Sequence, residues 1–562
     1  MRIWLLVLIL INGTLPALAQ LSQPERILPW EDAPQSGYVH LDQPLMDDLL
    51  EAQQKSLASG TFYPTGKIVP VSINPLEVGV WTLEKNGDRV CRMWVDMEGA
   101  QGISLYFEDL FLPVGCELFA FDPEFKDQFG PYTFLDNADG EWVGSGTVHG
   151  DKIGLELRIP AKVSLEPNIR IHQIGYQFDH QRANGSRGFG DSDDCQVNVE
   201  CEEGDNWSNQ VRAAVRIKLR YGGFEGWCTG TLMNNTFQDC APYILTADHC
   251  RRLQDGTEAT DQEYQNFEFY FLYESTRCDN PNKESDVPVG KLTGCTFKAA
   301  SGGGGTGGPD FLLLRLNDAV PQFFNPHFAG WDNRNVASIS GVMMHHPRGD
   351  IKKVATYLTK AESSEWEGAF KDTHWKIFWS QTKNGHSVSQ PGSSGAALWN
   401  KDGRVVGQLT GGASACEEAT GVSPFFPDYF GKMSYNWTFK PQDSTANLYN
   451  WLDEGGSQIA QLNGINWPCA EGPVGQEEIA ASVDGPIFFP NPVTEGELQV
   501  NIPETSWAGE DILVFYDLLG KPLQEVKLTQ FDQRIFLHDL TSGVYVVRLL
   551  SSPETYHKIQ IK

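Results

Sequence analysis

The sequence predicts an all-β protein of several domains, and two observations carry that expectation. Short runs in which apolar and polar residues alternate, separated by Gly, Pro and Asp turn signals, fill residues 60–180 and recur from Cys195 to about Pro468. At 562 residues the chain also exceeds the roughly 250–300 residues at which single cores stop growing. An apolar content of 40%, with 16 Trp and 31 Phe, supplies packed cores and argues against a disordered chain. The charge is 43 basic against 73 acidic residues, a net of −30. That balance argues against nucleic acid and anionic membrane as partners and suits a soluble extracellular protein.

Residues 1–20 show Arg2, an apolar run and then Ala17-Leu18-Ala19, the layout of a secretory signal peptide with a small-residue cleavage site. No later stretch reaches the roughly 18 apolar residues that a membrane span needs. Export leads to an oxidising compartment, so the eleven cysteines are expected mostly in disulfides, with at least one unpaired or intermolecular. Residues 21–187 read as a β-rich propeptide. VWTL, RVCRMWVDM, GISLYFEDL, CELFAFD and KIGLELRI alternate as in an antiparallel sandwich. Cys91 and Cys116 fall on neighbouring predicted strands and are expected to pair. The placement of this segment suggests that it assists folding of the domain C-terminal to it and blocks that domain's site.

The boundary falls in QRANGSRGFGDSDD, residues 181–194, which is polar and Gly-rich, as in exposed linkers that are easily nicked. Arg182 and Arg187 are its basic positions, and cleavage after Arg187 would begin the mature chain at Gly188. Residues 188–468 carry many short predicted strands. Within them Ser301–Gly308 reads as a Gly-rich surface loop, because it lacks the Lys-Ser/Thr and following helix of a phosphate-binding loop. Ala446–Leu452 reads as a terminal helix. A spacer at 469–484 precedes residues 485–562, a compact set of strands with turns at Leu519-Gly520 and Ser542-Gly543 and no catalytic cluster.

Three motifs inside 188–468 carry chemistry. QPGSSGAA (Gln390–Ala397) holds a serine between glycines, where the backbone bends sharply and a substrate carbonyl can approach closely. LTADHC (Leu245–Cys250) places His249 at the end of an apolar run, and PDFLLLRL (Pro309–Leu316) places Asp310 at the mouth of an apolar strand. The chain order His249, Asp310, Ser394 is one of the known orders of a nucleophile–base–acid triad, that of chymotrypsin. Alone, the serine stretch is an ordinary Gly/Ser loop and Asp310 a capping carboxylate. Together they point to a serine endopeptidase. A metalloenzyme is disfavoured, since His345 and His346 are adjacent, so they point to opposite faces of a strand, and no HExxH occurs.

Residues from Cys195 to about Asp453 resemble the bacterial lysyl endopeptidases of the chymotrypsin-like superfamily, through CQVNVEC, CTGTLMNNT, YILTADHC, PDFLLLRL, HHP, THWKIFW, PGSSGAALW and GQLTGG. The tail resembles the C-terminal sorting domain of the type IX secretion system, through PNP, YDLLG and LTSGVYVVRL. The resemblance implies a chymotrypsin-like double β-barrel flanked by the propeptide and a small C-terminal β-sandwich. It implies His249 as general base, Asp310 as its orienter and Ser394 as nucleophile, with the N–H groups of Gly392 and Ser394 as oxyanion hole. It also implies the disulfides Cys195–Cys416, Cys201–Cys278 and Cys228–Cys250. Cys240 and Cys295 are then free to pair with each other, and Cys469 is left over.

For specificity, Val388 stands where trypsin-like enzymes have an aspartate, and the lysyl family's pocket acid maps onto Asp428, which as a bare sequence feature is equally a turn residue. Trp366 matches the family's aromatic near the pocket, and its plain alternative is a core tryptophan. Thr410 stands where the family has the histidine partner of that Trp. Ser393 replaces the aspartate that receives a new N-terminus in trypsin-like zymogens, so removal of a blocking propeptide is the expected activation. The sequence thus reads as a secreted monomeric endopeptidase cutting after Lys, without cofactor or metal, delivered by type IX machinery to the cell surface or medium. The alternatives are broader Lys/Arg or other specificity on the same machinery, and a surface-binding protein on a weak protease scaffold.

Overall fold

The computed structural model describes residues 37–469, apart from 60–61, 126, 135–141, 179–188, 254, 283, 304–307, 367–369, 418 and 420, and most strand residues from 487 to 561. The expected signal peptide, the Arg187 cleavage site, the 470–484 spacer and the tail turns at Leu519-Gly520 and Ser542 lie outside the described residues.

The N-terminal domain stacks two sheets. One runs in the order Tyr38–Leu41, Arg89–Met97, Lys152–Ile159, Glu117–Phe121, Gln128–Tyr132, and the other in the order Pro64–Ile73, Asn168–Gln177, Gly102–Phe111, Trp142–His149. Inward positions of both sheets, among them Val95, Leu105, Phe107, Leu155 and Ile171, form its core, as strand alternation dictates. Cys91 and Cys116 do not pair, contrary to the sequence expectation. Cys91 and Leu118 each sit opposite Leu157, on either side of it. A whole strand therefore separates the cysteine-bearing strands, about 10 Å across, and a disulfide needs Cα atoms within about 7 Å. Burial pushes the two thiols up to about 11 and about 12.

Residues 214–316 build a first barrel. Its strands run Gly290–Thr293, Glu268–Phe271, Ala214–Tyr221, Phe224–Met233, Tyr243–Ala247, Phe311–Leu316, Cys295–Ala300, each antiparallel to the next. A second barrel runs Lys353–Tyr357, Gly341–His345, Ala397–Asn400, Val405–Gly412, Asp428–Lys432, His374–Ile377. The apolar run FLLL at the start of the Phe311–Leu316 strand has its reason in burial on both faces. Leu312, Leu314 and Leu316 fill the first barrel, while Phe311 and Leu313 pack with Val342, Met344, Trp331 and Trp399 in a shared core between the barrels. A strand buried on both faces cannot alternate. The described residues are mostly β and form two antiparallel barrels, the layout that the sequence resemblance implied.

The helix expected at Ala446–Leu452 is broken into a 3-10 turn, Ser444–Ala446, and a single α-turn, Tyr449–Leu452. Asn447 between them is extended, and its side chain donates to Lys440 O and Asp443 O instead of continuing a helix. In the tail, Glu497–Asn501 and Asp532–Phe536 belong to one sheet and Asp511–Tyr516 and Gly543–Leu549 to a second, around Leu498, Leu513, Phe515, Val547 and Ile559.

Candidate active site

The first barrel places His249 and Asp310 by register. Ala247 pairs with Phe311, so the turn after one strand and the residue before the other meet. Asp248–Arg251 forms one 3-10 turn, and Asp310 accepts hydrogen bonds from the His249 backbone N–H at 3.0 Å and from its Nδ1 at 2.8 Å. Both residues are buried. Donating Nδ1–H leaves Nε2 as the ring's acceptor, and Nε2 makes no hydrogen bond to any described residue, Ser394 included. Burial disfavours the imidazolium, but the Asp310 charge, its hydrogen bond and the Asp248 charge outweigh it, so His249 is raised above its ordinary pKa.

Asp310 has φ +63°, a left-handed conformation that costs a non-glycine residue on the order of 1–3 kcal/mol and that the surroundings must enforce. They do so on both sides. Gln408 Nε2 donates to Pro309 O at 2.7 Å, and Asn436 donates to Gln408 Oε1 at 2.6 Å. Arg251 and Arg252 bind the two oxygens of Asp248, and Cys228–Cys250 staples the turn.

The second barrel supplies the serine loop. Ser394 O accepts from the Thr229 N–H at 2.8 Å and lies 3.9 Å from Cys250 Sγ, which seats the loop on the His249 turn. Gly392 has φ +93°, and a Cβ there would stand 2.9 Å from Gly349 N and His346 O, so only glycine fits. The Ser393 N–H is spent on Gln390 O and that of Gly395 on Leu409 O, both at 2.9 Å. The N–H groups of Gly392 and Ser394 donate to no described acceptor.

Sequence reasoning missed what holds this loop. Ser393 Oγ sits 2.7 Å from His345 Nδ1, a ring that burial and Lys353 push down to about 3 and so keep neutral. Gln390 Nε2 donates to Asp193 Oδ2 at 2.6 Å, while Gln390 Oε1 accepts from the Asp193 N–H and from Gln196 Nε2, both at 3.2 Å. Gln196 also donates to Val388 O at 2.8 Å. The segment just after residue 188 thus lies against the serine loop. No local motif marks such contacts between residues nearly 200 apart. His346 Nδ1 is 2.9 Å from Asp350 O, so both adjacent histidines serve protein hydrogen bonds.

Asp428, fully buried, faces the same loop. Its Oδ2 accepts from Trp379 Nε1 and Ser414 Oγ, each at 2.6 Å, and its strand pairs with Gly412 of the Val405–Gly412 strand. Burial raises its pKa, and the bonds from Ser414, Trp379 and Ser389 partly offset that. Ser389 is five residues before Ser394, so this carboxylate stands beside the serine loop. Trp366 covers Gly411, where a Cβ would lie 3.2 Å from its ring, and meets Tyr429 edge-on at 5.3 Å. Thr410 Oγ1 instead lies 3.2 Å from His374 Nε2, so the histidine beside it comes from another strand and does not stack on Trp366.

Disulfides join Cys195–Cys416, Cys201–Cys278 and Cys228–Cys250. The expected Cys240–Cys295 pair is replaced by Cys240–Cys469, and Cys295 is a buried free thiol. Cys295 begins a strand and points into the first barrel's core, whereas Ile465–Asn466 pairs with His327–Phe328 and carries Cys469 back to the loop of Cys240.

Residues 189–431 match the family model of the lysyl endopeptidase C-terminal domain, and residues 487–562 that of a secretion system C-terminal sorting domain. A lysyl endopeptidase of Pseudomonas aeruginosa is 30% identical over 308 residues, which cover 52% of this chain and 61% of the relative. The chain therefore spans about three fifths of the length of that curated relative. Two solved structures also align, a thermostable serine protease AL20 from an extremophilic microorganism and the protease Anisep from Arthrobacter nicotinovorans. They are 13% and 16% identical, cover 40% of this chain and 91% of their own, and have TM-scores of 0.27, too low to carry an argument. Over residues 189–431 this chain is thus similar to the lysyl endopeptidase C-terminal domain, and over residues 487–562 to a secretion-system C-terminal sorting domain.

Proposed function

We propose that the protein is an exported serine endopeptidase that cuts on the carboxyl side of Lys. The observation that carries the catalytic reading is the pairing of His249, held through two hydrogen bonds by buried Asp310, with a serine loop whose Gly392 and Ser394 N–H groups are unspent. His249 Nε2 takes the Ser394 proton as Oγ attacks the peptide carbonyl. Asp310 holds the tautomer and stabilises the imidazolium, and His249 then hands the proton to the leaving amine. The two N–H groups stabilise the oxyanion, each worth roughly 3–4 kcal/mol in such sites. Water repeats the sequence on the acyl-enzyme.

Asp428 supports the preference for Lys. A buried carboxylate whose pKa is raised by burial gains most when a substrate ammonium reaches it and replaces its lost hydration. A compact ammonium on a flexible stem suits a pocket bounded by Trp366 and Gly411 better than the wide planar fork of Arg. The tail supports export by type IX machinery to the cell surface or medium. Digestion of a peptide mixture, with the cleaved residues read by mass spectrometry, tests the reading. Cleavage dominated by Lys sustains it, and cuts without basic preference refute the role of Asp428.

A further inference from the structure

The Phe224–Met233 strand does not end its sheet at the first barrel. Phe224, Glu225 and Gly226 pair with Lys67, Gly66 and Pro64, so one sheet runs from the barrel into the N-terminal domain. The two backbones approach too closely for side chains at the seam. A Cβ on Gly226 would stand 2.7 Å from Tyr63 O, and one on Gly144 would stand 2.2 Å from Glu268 Oε1. Phe62, 2% exposed, lies in the barrel's own core with Val215, Ile217 and Cys228, its ring 5.2 Å from that of Tyr221.

Beside Phe62 the contact is polar and fully closed. Lys218 Nζ, 1% exposed, donates to Ser104 Oγ at 3.1 Å and Thr147 Oγ1 at 3.0 Å, both from the N-terminal domain, and lies 3.4 Å from Glu225 Oε2. The Tyr106 hydroxyl donates to that Glu225 oxygen at 2.7 Å, and the Arg220 guanidinium lies 3.2 Å over the Tyr106 ring. Lys291 donates to Gly144 O at 3.0 Å, and Arg220 to Gln173 Oε1 at 2.7 Å. A buried ion pair that loses its partners is costly, and an opened strand edge invites wrong pairing. These contacts fall on the strands Ala214–Tyr221, Phe224–Met233 and Gly290–Thr293, and none of these residues belongs to the triad or to the Asp428 pocket.

We propose that residues 37–178 are a permanent subunit of the protease domain. When the chain is cut between them, the two pieces remain one non-covalent protein, in which the N-terminal piece completes the first barrel instead of acting as a plug that must leave. The proposal does not depend on the catalytic reading. To test it, a recognition sequence for an unrelated protease is inserted within residues 181–188 of the full chain carrying Ser394→Ala, the linker is cut, and the product is run on size exclusion at micromolar and then nanomolar concentration. Co-elution of both pieces at both concentrations is expected, and two separate peaks overturn the proposal. Tyr106→Phe in the same cut protein keeps the ring but removes the hydroxyl that donates to buried Glu225, leaving it only the Lys218 ammonium, and is expected to raise the dissociation constant at least tenfold. An unchanged constant overturns the interface as assigned.

Discussion

The two barrels contribute to the site in different ways. The first delivers His249 and Asp310 mainly through backbone register, a 3-10 turn and a disulfide within about 80 residues of chain, with Pro309 braced from the second barrel by Gln408 and Asn436. The second delivers Ser394 on a loop whose shape rests on side chains from far away in sequence: His345 under Ser393, and Asp193 and Gln196 on Gln390. The proposed acid–base half is thus fixed mainly by strand pairing, whereas the proposed nucleophile half is fixed by hydrogen bonds that single substitutions can remove. Disturbing the first half without touching the reacting groups should need loss of the Gln408–Asn436 brace. The second half should also be tunable from outside.

The largest effect removes the chemistry from each half in turn. Ser394→Ala and His249→Ala are each expected to lower kcat by about 10⁴–10⁶-fold, and the double variant is expected to be little worse, because the two act as a unit. Multiplied effects in the double variant, read from peptide hydrolysis, would break the assignment of the two barrels to one site.

This contrast also explains what the sequence made legible. His249, Asp310 and Ser394 each sit in a local motif whose glycine, apolar run or strand start has its own physical cause, so their neighbourhood was readable. Gln390, Asp193, His345, Gln408 and Asn436 hold the same groups but sit in no pattern, because contacts across 28 to 197 residues leave no local spacing. The cysteines show the same limit. Cys91 and Cys116 looked adjacent because their strands are near in sequence, but the strand between them in space comes from residues 152–159. Cys240 found Cys469 through a short pairing near Pro326 that alternation could not reveal.

Next in size is the pocket. Asp428→Asn keeps the Trp379 and Ser414 contacts nearly isosteric while removing the charge, and is expected to cut kcat/KM for Lys substrates tenfold to a hundredfold, about 1.4–2.7 kcal/mol. Cleavage after Lys at the parent rate would place the acid elsewhere. A smaller loss is expected from Gln390→Ala, which frees the serine loop from Asp193 and Gln196. It should lower kcat by about threefold to tenfold with KM little changed, since the groups it loosens act in the transition state. Equal loss in kcat from Gln408→Ala would blur the contrast between the halves, and a smaller loss there would sharpen it.

The smallest effect concerns the first barrel's attachment to the N-terminal domain. His149 Nδ1 lies 2.5 Å from Asp127 Oδ2 and 3.8 Å from Glu284 Oε2, so an imidazole of one domain faces a carboxylate of each. Burial disfavours its charge, but the bond to Asp127 and the charges of Glu284, Asp127 and Asp191 outweigh it and raise its pKa. The other charged groups near it are Arg216, which acts on Glu284, and Asp122, Glu124, Asp151 and Lys152 around an adjoining open cavity of about 410 Å³. A histidine raised in the folded state stabilises it fully below its ordinary value near 6.5, and that stabilisation is lost as pH rises through the raised value. Glu284, raised by burial, acts with the same sign. The cut protein should therefore hold its two pieces more tightly at pH 6 than at pH 9, and His149→Ala should flatten that dependence while leaving Tyr106 and Lys218 to hold the seam. Binding measured by dilution at both pH values decides it, and a parental slope in the His149→Ala protein would show that another group carries the titration.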